Sequence, residues 1–138
     1  GTISRARLTI PPPWRRGCAA GACPPGVTGG AAGLDKVHFA IGRLLGSPEG
    51  WRPLVREMAA RWPDAAPGEI IFAIVSAATE IEATFAPGSP AREAADHGWR
   101  LAALIATDLY AMEAIGLPRA RAADLAAYWQ IDPFFRNL

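Results

Sequence analysis

Four side chains that suit divalent-metal chemistry fall within one eighteen-residue window: Glu80, Glu93, Asp96 and His97. On a helix, Glu93, Asp96, His97 and Arg100 share a face, because positions i, i+3, i+4 and i+7 align. A preceding helix joined by a short connector packs antiparallel to it, which puts Glu80 near the level of Asp96 and His97. Carboxylates with an imidazole suit a divalent ion, and oxygen-dominated sets suit Mg²⁺ or Mn²⁺. The same residues also fit a plain solvated face. Glu93 and Asp96 then complement the positive end of the helix dipole, while Glu93–His97 and Asp96–Arg100 form ion pairs at i, i+4.

Glu93-Ala94-Ala95-Asp96 matches an ExxD pattern, and over about thirty residues this stretch resembles the all-α nucleoside triphosphate pyrophosphohydrolases. The resemblance implies a Mg²⁺-dependent hydrolase in which an ExxE pair on the preceding helix faces the ExxD pair. Glu80 takes the second ExxE position. The first is Ala77, and Ser76 stands where that family often has another acid. The resemblance supplies an alternative function, nucleotide hydrolysis around Mg²⁺ held by Glu80, Glu93 and Asp96, with one ligand missing.

A second group of candidate residues lies near the N-terminus. Arg5, Arg7, Trp14, Arg15 and Arg16 precede the first acidic side chain, Asp35. Residues 1–34 carry +4, whereas the remaining ten basic and thirteen acidic groups leave the rest at −3. Pro11-Pro12-Pro13 favours polyproline II and stops any helix. Such an arm has two uses. Its arginines can meet nucleic-acid phosphates while Trp14 stacks on a base, or it can dock on a protein surface. The acidic remainder opposes DNA, so protein contact is the favoured use.

Asp108 sits between Ala106-Thr107 and Leu109-Tyr110 in an apolar stretch. If buried, it needs a cationic or hydrogen-bonding partner, for which Arg119 or Arg121 is the expected source. Cys18, Cys23 and His38 give C-x4-C-x14-H, looser than zinc sites use and lacking a fourth ligand, so the thiols read as unrelated. Two cysteines make no disulfide framework. The chain carries no phosphate-binding loop, dinucleotide fingerprint or nucleophile elbow.

The elements that must position these residues are helices. Apolar spacing predicts Leu34–Leu45, then a turn at Ser47-Pro48-Glu49, then about Arg52–Trp62, Pro67–Phe85, Ser89–Ile115 and Arg119–Gln130. Gly46, Pro63, Pro87-Gly88, Gly116 and Pro118 punctuate them. Leu101–Ala106 is apolar on every side, which predicts a central fourth helix. Ile74, Ile81, Leu101, Ile105 and Leu109 are the expected core contacts of the two longest helices. Glu69, Ser76, Glu80 and Thr84 are expected on the opposite, polar face of the third.

The sequence therefore predicts an all-α bundle of four to five helices over residues 34–138, with an extended, irregular Pro/Gly/Arg-rich arm over residues 1–33. No apolar run reaches the roughly 18–20 residues of a membrane span, and a soluble, cytoplasmic protein without membrane contact is expected. The favoured function is a non-catalytic small subunit or adaptor, its arm docking on a protein partner or on another copy in a homo-oligomer, with no cofactor. Mg²⁺-dependent hydrolysis and nucleic-acid binding through the arm are the alternatives.

Overall fold

The computed structural model describes residues 31–131, which form five helices in an all-α bundle: α1 (Ala31–Gly46), α2 (Leu54–Arg61), α3 (Pro67–Thr84), α4 (Pro90–Ala114) and α5 (Ala122–Trp129). The arm residues Arg5, Arg7, Trp14, Arg15 and Arg16, both cysteines and the Phe134-Phe135 tail lie outside the described residues. None of the described helices is long and apolar enough to cross a membrane.

Proline and glycine set most of the boundaries. Pro67 and Pro90 occupy the first turns of α3 and α4, where their missing N–H is no loss. Glu69 accepts a 2.7 Å hydrogen bond from the Ala66 N–H, and Ser89 Oγ accepts one from the Arg92 N–H at 3.3 Å. These acceptors take up N–H groups that a helix start leaves without intrahelical partners. α4 stops at Gly116, whose φ of 74° lies in the left-handed region. Leu117 N–H then returns to Met112 O at 2.9 Å and Gly116 N–H to Glu113 O at 3.1 Å, satisfying the last carbonyls. α2 begins at Leu54 rather than Arg52, because Gly50 and Arg52 close turns onto Ser47 and Glu49 first.

α2 folds back along α1, held by an Arg43–Glu57 ion pair at 2.8 Å and an edge-to-face contact of Phe39 with Trp62. α3 and α4 are antiparallel. Trp99 Nε1 donates to Glu82 Oε1 at 2.7 Å, and Arg92 Nη1 donates to the Phe85 and Glu82 carbonyls at 3.0 and 3.1 Å. A methyl placed on Gly98 would lie 3.2 Å from Ala78 Cβ and 3.4 Å from Leu44 Cδ1, so α1, α3 and α4 pack closely there.

The central helix is α3, not the expected α4. α3 packs against all four other helices, and buries Ile70, Ile74 and Ile81 completely along with Ala73, Ala77 and Ala78. Each isoleucine buried this way contributes about 1.5–3 kcal/mol. On α4, Ala103 and Ala106 face solvent. An alanine methyl has little area to bury, so an apolar stretch built largely of alanine does not demand burial on all sides. The buried stripe of α4 runs Leu101, Ile105, Asp108, Met112, at spacings of four, three and four. That register leaves Leu109 only half-buried and puts the carboxylate of Asp108 in the core instead.

Candidate functional site

The α3–α4 pairing brings Glu80 to the axial level anticipated for a metal cluster, but the side chains diverge. The α3 acid that faces α4 is Glu82, which takes the Trp99 indole N–H. At about 100° per residue, Glu80 lies on the other side of the helix, and its side chain lines a groove between α1 and α3. Glu93 and His97 line a different cleft, of about 340 Å³, between α4 and the C-terminal end of α1. Asp96 is exposed. Among the described residues no three His, Cys, Asp or Glu side chains gather to hold a metal ion. The structure thus separates Glu80 from Glu93, Asp96 and His97.

The i, i+4 ion pairs expected on α4 are also absent among the described residues. Neither Glu93–His97 nor Asp96–Arg100 forms. His97 instead lies flat against Trp51, with ring centroids 4.7 Å apart and planes 6° from parallel. Arg52 stands over the same indole at 4.7 Å and pairs with Glu49. The stack anchors the α1–α2 turn to α4, which is a structural use of His97.

Asp108 is buried, and its carboxylate accepts a hydrogen bond from Trp129 Nε1 at 2.7 Å. The arginines expected for it are engaged elsewhere: Arg119 with Glu113 at 2.8 Å, Arg121 with Asp64 and Asp124. α5 is turned by its own docking. Its Ala122 and Ala123 N–H groups donate to the Ala65 and Pro63 carbonyls at 2.7 and 3.0 Å, which aims Trp129 inward and Arg121 out.

Two features escaped the sequence reading. Lys36 is buried, with its ammonium 5.2 Å from the centroid of Trp62; Arg61 stands over both Trp62 and Phe39. Long cationic stems cover these rings, leaving Trp62 half-buried rather than in the core. The second feature is the α1/α3 groove itself, about 600 Å³ in volume. Of the seven large apolar side chains exposed among the described residues, Leu34, Leu45 and Phe72 all line it. Ile41 and Phe85 form half-buried parts of its wall. Ser76, Glu80 and Thr84, expected on a plain polar face, run along the same groove. Among the described residues Glu80 is the only acidic one lining it, and it makes no ion pair there.

No protein-family model, curated protein or solved structure matches this chain.

Proposed function

We propose that this protein is a non-catalytic contact module, a small subunit or adaptor, whose principal docking surface is the α1/α3 groove. The observation that carries this reading is the convergence of Leu34, Leu45 and Phe72, exposed by 54%, 39% and 46%, on one concave strip. Exposed apolar residues scattered singly are ordinary on any protein. Gathered along a groove with a polar rim, they suit an apolar segment of a partner. The groove's acidic rim favours a partner whose apolar residues are accompanied by a basic one.

The test places a benzophenone amino acid at Phe72 or at Tyr110 in the full chain inside cells. Tyr110, 74% exposed on α4, is the control for accessibility. The module reading expects a discrete protein adduct at Phe72 and not at Tyr110. Its binding should then be reproduced with purified components and lost in Phe72→Glu. Equal adducts at both positions, or none at Phe72, would remove this reading.

A further inference from the structure

We infer that the α1/α3 groove is also the docking site of this chain's own residues 1–30, seated through Trp14, so that the arm competes with partners for the contact surface. The geometry of attachment comes first. The chain enters α1 at Ala31, and Gly33 and Leu34 in its first turn line the groove. The arm is thus tethered at the surface it would cover.

Reach is ample. From Leu34 to Leu45, α1 spans about 16 Å at 1.5 Å per residue. About five residues of extended chain, at ~3.3 Å each, cover that distance. Trp14 stands twenty positions before Leu34, so the intervening segment can return it to any point along the groove. Tethering matters for the outcome. A segment joined to its site by a short flexible linker acts at an effective concentration on the order of millimolar. A second copy must supply its arm at the far lower concentration of the free protein.

Chemistry matches as well. The arm carries four arginines and no acid, and Arg15-Arg16 directly follow Trp14. The groove offers apolar walls from Phe72 and Phe85, with Glu80 on the rim. Pro11-Pro12-Pro13 immediately before Trp14 is a sequence that favours polyproline II. A pre-set backbone loses less entropy on docking, and proline-rich segments of this kind dock in aromatic-lined grooves.

The experiment uses the full chain with Cys23→Ser and a nitroxide on the native Cys18, the protein having only these two cysteines. Backbone amide resonances are then compared with those of the same protein after the nitroxide is reduced. The expected result is several-fold broadening at Ile41, Phe72 and Ser76, with none at Tyr110 or Ala127, abolished by Trp14→Ala and by Phe72→Arg. Absent broadening, broadening spread evenly over the surface, or broadening that survives either substitution overturns the assignment. Isotope-labelled protein without nitroxide, mixed with unlabelled nitroxide-bearing protein, separates the two sources of the arm. Broadening in that mixture as strong as in the single protein makes a second copy the occupant and overturns attachment in cis. The inference rests on the groove being a contact surface, but the nitroxide measurement contains no partner. It therefore reads the arm alone, and in the photocrosslinking test an adduct of Phe72 with residues 1–30 of the same chain counts for this inference and not against the contact surface.

Discussion

The indole Nε1 of Trp129 donates a 2.7 Å hydrogen bond to Asp108 Oδ2 in the buried seam between α4 and α5. It ties the shortest terminal helix to the longest one through a carboxylate placed in the core. Removing the donor from a buried carboxylate costs more than the bond itself contributes, because the oxygen keeps its desolvation penalty.

That relationship gives the first prediction. Trp129→Phe should destabilise the bundle by about 1–3 kcal/mol in urea unfolding, and Trp129→Ala by about 3–5 kcal/mol, since the packed ring is lost as well. In a double-mutant cycle of Trp129→Phe with Asp108→Ala, which removes the acceptor, a coupling of about 0.5–3 kcal/mol is expected. Strictly additive single effects would mean that the two side chains do not interact in solution.

Gly98 supplies the second. It packs against Ala78 and Leu44 with little room for a side chain. Gly98→Ala gains about 0.8–1 kcal/mol of helix propensity, offset by a methyl 3.2 Å from Ala78 Cβ. The two effects should nearly cancel. Gly98→Leu has no space to occupy and should cost about 1–3 kcal/mol or more through overpacking. Thermal melts of both variants check the pair, and a tolerated leucine would show that α3 and α4 are further apart.

The third concerns Ile105, fully buried on the α4 stripe. Ile105→Ala should cost about 2–5 kcal/mol, the range for deleting buried methyl and methylene groups. Leu109→Ala, one turn on but half-buried, should cost distinctly less. Denaturant midpoints for the two, with unchanged m-values, decide whether the stripe turns through Asp108 as described.

These cases show what the sequence could and could not reveal. Helix positions were legible because Pro67, Pro90 and Gly116 act locally and apolar periodicity is a property of one helix at a time. Burial of Ile74, Ile81, Leu101 and Ile105 followed from the same periodicity. The need of Asp108 for a partner was legible too, but Trp129 was not. The choice between it and Arg119 or Arg121 depends on how α5 rotates when its N-terminus docks on the Pro63 and Ala65 carbonyls. Glu80, Glu93 and His97 misled for a related reason. Spacing gives the level of a side chain along an antiparallel pair, while the rotation of each helix decides whether it faces across. The α1/α3 groove was hidden because Leu34 and Leu45 look like ordinary core positions of α1, and only the relative placement of two helices leaves them uncovered.

The last prediction separates docking from folding at that groove. Phe72 is 46% exposed, so Phe72→Glu gives up only part of a buried ring and should cost about 1 kcal/mol, less than a substitution in the core. Ile81, whose side chain also reaches the groove wall, is only 1% exposed, and Ile81→Ala should destabilise by about 2–5 kcal/mol. If the groove is a contact surface, Phe72→Glu should nonetheless abolish partner capture at this site, because it removes the apolar wall and sets a charge against the apolar residues of the ligand. Tyr110→Glu, at the most exposed large apolar side chain among the described residues, should leave capture unchanged. The measurement is circular dichroism melting beside quantitative binding of the purified partner. A folded Phe72→Glu protein that binds as tightly as the parent chain would move the contact surface away from α1 and α3.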